Sequence, residues 1–218
     1  MPLPDGTYMI INGAQQGIAG FRLASDPNLS ALLTCYTTLP NLSARVSRYS
    51  TNTTIPRMYH SEAMLSPDGC VLLSGSDPQT SGLLEELRIE VYMPPYLSQG
   101  LTQPTVTVPN TDWAYGGQHQ INVELFQGQT MRVSLVAAVS STHGNVIGSR
   151  TIFPAFSCQG TICTVTAPPN AQVSLPGWHQ LFVLDGPTPS YGVFVHIAGD
   201  PAKLGNWPAL SGFDLPGV

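Results

Sequence analysis

Short apolar runs separated by turn residues set the pattern of this chain. Residues 3–13 read Leu-Pro-Asp-Gly-Thr-Tyr-Met-Ile-Ile-Asn-Gly, and residues 66–75 read Ser-Pro-Asp-Gly-Cys-Val-Leu-Leu-Ser-Gly. Each has a Pro-Asp-Gly turn, a run of strand formers, then a small polar residue and glycine. Asp-Gly turns by a mechanism: glycine takes positive φ without steric cost, and the Asp side chain bonds the backbone beyond it. The apolar runs suit strands buried on both faces. The two units begin at positions 3 and 66, further apart than the roughly 40–50 residues of a propeller blade. The excess is a polar, loop-like stretch from Gln15 to Asn28. Two copies are too few for a closed propeller, which needs about four blades, so its closing partners are expected outside this chain.

Residues 32–36 and 44–49 are weaker strand candidates. Leu83-Leu84-Glu85-Glu86-Leu87 looks helical over one turn but runs into Arg88-Ile89-Glu90-Val91-Tyr92, whose period of two predicts a strand. Met93-Pro94-Pro95-Tyr96-Leu97 marks a boundary, because two prolines cannot continue a central strand. Beyond it, strand-like runs recur over 105–108, 120–125, 131–137, 151–156, 163–167, 177–184 and 191–197. Seven short strands at this rhythm predict an immunoglobulin-like sandwich. In the sixth run Trp178, Gln180, Phe182 and Leu184 share one face, and His179, Leu181 and Val183 the other. The expected organisation is two blades over 1–92, a sandwich over 93–202, and a Gly- and Pro-rich tail over 203–218 lying loosely on the surface.

Composition supports an all-β chain. Of 218 residues 42% are hydrophobic and only 10% charged, with 21 glycines and 20 prolines; about a quarter charged is usual. A net charge of −5 leaves no basic footprint for nucleic acid, and an anionic membrane surface would repel it. No apolar run approaches the ~20 residues needed to span a bilayer. The first residues lack the pattern of a signal peptide. Sequons at Asn28, Asn41 and Asn52 hint at a secretory origin, so sequence is expected to be missing from the front. Cys158-Gln159-Gly160-Thr161-Ile162-Cys163 joins two strand candidates, which places the thiols across a hairpin within bridging reach. A disulfide is expected in a secreted chain; two packed, reduced thiols are the alternative.

The candidate chemistry lies in Pro56-Arg57-Met58-Tyr59-His60-Ser61. Neighbours on a regular strand point to opposite faces, so Tyr59 and His60 aim at one point only where the chain bends or leaves the strand. Pro56 biases Ile55 toward extended backbone and withholds a donor. A phenol oxygen beside an imidazole nitrogen is half of an O,N site suited to copper; the alternative is an ordinary half-buried pair. His119 is expected in a solvated Gly-Gly-Gln-His-Gln loop. His179 and His196 are expected as packed or surface residues of strands.

Three stretches together resemble the carboxyl-terminal third of the glyoxal oxidase and galactose oxidase family of copper radical oxidases. They are Pro56–Ser61 with Pro67-Asp68-Gly69 and Gly75-Ser76-Asp77-Pro78; Ser141-Thr142-His143-Gly144-Asn145; and Leu175-Pro176-Gly177-Trp178-His179-Gln180-Leu181-Phe182-Val183-Leu184-Asp185-Gly186-Pro187-Thr188-Pro189-Ser190. The opening residues also look like a late propeller strand of that family, so the resemblance runs from about residue 3 to residue 201. It implies the last blades of a kelch-like β-propeller, incomplete here, followed by an immunoglobulin-like early-set domain. It also implies a mononuclear copper on the propeller axis and secretion. Tyr59 matches the axial tyrosine that takes the substrate proton, His60 the first copper histidine, and His143 the histidine donated by the second domain. The family's radical-bearing tyrosine, cross-linked to a cysteine, belongs to earlier blades that this chain does not contain. The resemblance therefore implies a fragment of an enzyme that oxidises a small aldehyde or alcohol and reduces O2 to H2O2. By itself the fragment keeps part of the copper site and has little or no turnover, and a missing amino-terminal propeller segment is its expected partner. The alternative is a non-catalytic β-sandwich module that only binds or packs against a partner.

Overall fold

The computed structural model describes residues 1–35, 45–79, 84–124, 127–128, 130–138, 140–142 and 145–198. The expected tail over 203–218 lies outside them. The described residues form strands and turns, with no helix among them.

The first region holds Thr7–Ile10 (β1), Ala14–Gly17 (β2), Ala24–Pro27 (β3), Ser30–Cys35 (β4), Arg45–Asn52 (β5), Glu62–Leu65 (β6), Val71–Ser74 (β7) and Glu90–Tyr92 (β8). They make two three-stranded antiparallel sheets, β1-β4-β5 and β6-β7-β8, with β2-β3 as a separate hairpin. That hairpin occupies the stretch that reads as a polar loop from its sequence. Its pairing is backbone-driven, and all four β2 residues are exposed.

The repeated Pro-Asp-Gly units fold alike. In the first, Leu3 N–H donates to Thr7 O at 2.9 Å, Gly6 N–H to Leu3 O at 3.1 Å, and Thr7 N–H to Asp5 Oδ1 at 2.9 Å. In the second, Ser66, Gly69 and Cys70 make the same three bonds, to Cys70 O, Ser66 O and Asp68 Oδ1, each at 2.9 Å. Gly6 and Gly69 take φ of 90° and 86°, the conformation for which glycine is needed.

The second region holds Thr105–Thr107 (β9), Asp112–Trp113 (β10), Gln118–Glu124 (β11), Met131–Ala137 (β12), Ser140–Thr142 (β13), Asn145–Ile147 (β14), Thr151–Ile152 (β15), Phe156–Gln159 (β16), Ile162–Thr166 (β17), Gly177–Asp185 (β18), Thr188–Pro189 (β19) and Val193–Ile197 (β20). Sheet β16-β17-β11-β9 faces sheet β10-β20-β18-β12-β15, on which β19 adds to β18. Between them lies a core of Trp113, Ile121, Val123, Val133, Leu135, Val165, Leu181, Val183 and Ile197. The run expected as one strand over 151–156 divides into β15 and β16, which belong to different sheets. Pro154 lies between them and has no N–H for a ladder. The fold is all-β: propeller-type sheets followed by an immunoglobulin-like sandwich.

The central strand β18 is buried on both faces, which explains its unbroken apolar run. Leu181 and Val183 enter the sandwich core, while Phe182 joins Leu3, Met9, Leu33, Leu65, Val71, Leu73, Tyr96 and Val136 in a second cluster that spans both regions. Polar bonds follow the same seam. Gln180 Nε2 donates to Leu65 O at 3.1 Å, Gly192 N–H to Pro67 O at 2.7 Å, and the buried Tyr96 hydroxyl to Gly69 O at 2.7 Å.

Candidate functional site

The chain bends at Tyr59–His60. Strand β6 begins only at Glu62, and His60 has φ of 64°, a left-handed conformation uncommon for non-glycine residues, though Asn, Asp and His take it more often than the rest. The bend brings both rings to one side. They stack with centroids 4.0 Å apart and 27° between planes. Phe21, from the turn between β2 and β3, sets its edge against both, at 4.9 Å from Tyr59 and 5.0 Å from His60.

Backbone bonds hold the bend. Asp77 N–H donates to Tyr59 O at 2.7 Å, Ser61 N–H to Met58 O at 3.2 Å, and the Ser61 hydroxyl to Met58 O at 2.7 Å. Met58 N–H donates to Ser76 Oγ at 2.8 Å. Gly75, with φ of 70°, lies so close that a Cβ there would stand 2.6 Å from His60 O. The second Pro-Asp-Gly unit thus ends in an irregular Gly-Ser-Asp segment that packs against the Tyr-His bend.

In front lies a cleft of about 460 Å³. The end of β1, hairpin β2-β3 and residues 58–63 form its walls, and Val146 of β14 also lines it. Hairpin β13-β14 rises from the sandwich between β12 and β15, its base closed by Ala137 N–H donating to Arg150 O at 3.1 Å. It is therefore the sandwich element that reaches the face where Tyr59 and His60 sit. His143, the third ligand expected from the sequence, lies outside the described residues, as does Gly144. Among the described residues no three His, Cys, Asp or Glu side chains gather as a metal site.

The other histidines have structural surroundings. His119 is in β11, not in a solvated loop: the Gly116-Gly117 turn ends early, and the ring stacks on Trp113 at 4.7 Å with 3° between planes. Burial pushes its pKa down, partly opposed by a bond to the Ala114 backbone. His179 is buried, with Nδ1 3.1 Å from Gly177 O and Nε2 2.9 Å from Ser174 Oγ. A carbonyl only accepts, so Nδ1 carries the proton and Nε2 accepts from the serine. Burial lowers its pKa. His196 stacks on Trp178 at 4.2 Å and meets Asp112 Oδ1 at 3.3 Å. Cys158 and Cys163 are directly paired across β16-β17 and joined by a disulfide.

Two residues of the site are missing from the sequence reading. Phe21 sits in a Gly-rich stretch that looks like a plain loop. Arg57 is fully buried beneath the bend. Its one distinguishing mark in the sequence is a cation two residues before the Tyr-His pair in a chain with only 8 Lys and Arg, which does not speak to its burial.

Comparison with known proteins adds the family context. Residues 1–96 match the family described as glyoxal oxidase N-terminus, and residues 103–197 match the galactose oxidase-like early set domain. The chain is 56% identical over 216 residues to a WSC domain-containing protein of Arthroderma benhamiae, covering 99% of this chain and 23% of that protein. It is 36% identical over 210 residues to the putative aldehyde oxidase Art an 7 of Artemisia annua, covering 89% and 35%. A solved fungal alcohol oxidase of the AA5 family, in complex with copper, superposes with a TM-score of 0.73 at 22% identity, over 91% of this chain and 41% of that one. The two family matches adjoin and together span most of the chain, which places it in the glyoxal oxidase and galactose oxidase-like family. The chain spans well under half the length of each of these relatives.

Proposed function

We propose that these residues are the part of a glyoxal-oxidase-like copper oxidase in which Tyr59, His60 and His143 hold the metal. Tyr59 would also take the substrate proton. The carrying observation is the bent, stacked Tyr59–His60 pair on a cleft that the sandwich hairpin enters with Val146. The donor set fits the metal: a phenol oxygen and an imidazole nitrogen both suit Cu(II), and the bend turns both rings to one side. The third donor, His143, falls between the paired residues Thr142 and Asn145 of that hairpin.

The substrate class is a small aldehyde or alcohol, with O2 reduced to H2O2 in the complete enzyme. Copper supplies one of the two one-electron acceptors this oxidation needs, and the protein's task is to place metal, base and substrate carbon together. The second acceptor belongs, by the family resemblance, to a Tyr-Cys pair in earlier blades. Tyr59, His60 and the cleft are the chain's own contribution: they orient the substrate carbon and receive its proton at the phenol oxygen. The 218 residues by themselves would bind copper without sustained turnover. The Cys158–Cys163 bridge supports an oxidising, extracellular setting.

The test is a Cu(II) titration of the 218-residue chain followed by EPR, with an H2O2 assay on small aldehydes. One bound copper with nitrogen coupling that diminishes in His60→Ala and in His143→Ala, and no H2O2, is expected. A spectrum of aqueous copper would sink the reading.

A further inference from the structure

We infer that Arg57, clamped by Glu90, is a positioning residue for the Tyr59–His60 pair, acting on it through Gly75. The inference rests on the copper reading above but makes a separate claim about how the pair is held.

Arg57 is 1% exposed and ties three segments together. Its Nε donates to Glu90 Oε2 at 2.8 Å, one terminal nitrogen to Gly75 O at 2.8 Å, and the other to Arg88 O at 2.7 Å. Glu90 is fixed in turn by the Thr53 hydroxyl, which donates to Oε1 at 2.6 Å. Only a planar guanidinium presents donors in a rigid fork that meets all three acceptors at once; a lysine ammonium does not. A buried ion pair is poor evidence of added stability, because desolvation consumes most of the attraction. Its use here is geometric.

The geometry runs in one direction. The bond from Arg57 fixes the Gly75 carbonyl, and the backbone of Gly75 lies against His60 O, with no room for a Cβ. His60 is left-handed, and such a conformation persists in a non-glycine residue only where its surroundings over-determine it. Gly75, Ser76 and Asp77 are those surroundings, and Arg57 holds the first of them from within the chain segment that carries the pair. Without the fork, Gly75 is free to withdraw and the bend to relax, which separates the two rings.

The experiment uses Arg57→Lys and Glu90→Gln in the 218-residue chain, with Leu135→Ala in the sandwich core as a control for lost stability. Metal-free NMR reads the ring-to-ring contacts of Tyr59 and His60, and competition titration reads Cu(II) affinity. Arg57→Lys is expected to weaken the ring contacts and Cu(II) binding by about tenfold or more, the usual cost of removing an outer support of a metal site. Glu90→Gln should act in the same direction and less, and it carries the test if Arg57→Lys does not fold. Leu135→Ala should lower the melting temperature and leave both readouts unchanged. Ring contacts kept and Cu(II) affinity within twofold of the parent in Arg57→Lys would overturn the inference, as would an equal loss in Leu135→Ala. If the parent chain binds no copper, the copper reading fails, whereas loss of the ring contacts in Arg57→Lys still upholds the positioning role.

Discussion

The sandwich closes its core within itself. Trp113, Ile121, Leu135, Val165, Leu181 and Ile197 come from strands of both its sheets and are all buried. The two sheets before it are built differently. Their inner faces meet in a cluster completed by Val136 and Phe182 of the sandwich. On their outer faces, Ile10, Met64 and Val91 stay more than half exposed. The two sheets thus borrow from their neighbour what they lack in their own packing, and the Tyr59–His60 bend stands on this less self-sufficient region. The sandwich does two jobs for the site: it supplies the hairpin that reaches the cleft, and it braces the sheets that carry the bend.

Removing residues 1–92 is the most drastic way to break this comparison. We propose the division at residue 93, with the sandwich as the unit that folds by itself. Residues 93–202 expressed alone should melt in one cooperative transition and stay more soluble than the full chain, whose exposed sheet faces and edges invite association. Equal or better behaviour of the full chain would contradict the division.

Phe182→Ala sharpens the comparison at the seam. Truncating a buried phenylalanine costs about 3–5 kcal/mol, and Phe182 lies where β18 meets the leading sheets. Hydrogen exchange should rise in β6 and β7 as well as in β12 and β18. A rise confined to the sandwich would show that the leading sheets do not depend on it.

The smallest expected effect distinguishes the regions by pH. His179 is neutral and buried in the sandwich, and burial lowers its pKa. The unfolded chain therefore takes up the proton first, so the sandwich's stability holds above about pH 6.5 and declines as pH falls below it. Urea unfolding at pH 7.5 and 5.0 should show a loss that shrinks in His179→Gln. An identical pH dependence in both proteins would rule out His179 as the cause.

Much of this architecture was legible because local signals and burial agree. The Pro-Asp-Gly units announced two turns, and the rhythm of short runs after Pro95 announced the sandwich strands. The face assignment in residues 177–184 holds because both faces of β18 are buried, so its alternation separates two packing partners. That Tyr59 and His60 could face one point only by a bend or a departure from the strand followed from strand geometry. Other features depend on contacts distant in sequence. Hairpin β2-β3 carries no apolar alternation to betray it. His119 looked solvated because the aromatic that covers it, Trp113, comes from a two-residue strand too short to leave a pattern. Arg57 gave no sign of burial, since its acceptors at Gly75, Arg88 and Glu90 lie 18 to 33 residues further on.

The central claim is that one copper joins the two regions through His60 and His143. It is tested most directly by crystals grown with Cu(II) and measured at the copper absorption edge. The account predicts a single anomalous peak in the cleft beside Tyr59, within roughly a 2.0–2.1 Å metal–nitrogen bond of an imidazole nitrogen of each histidine. A peak elsewhere, or imidazoles too far apart to share one metal, would contradict it.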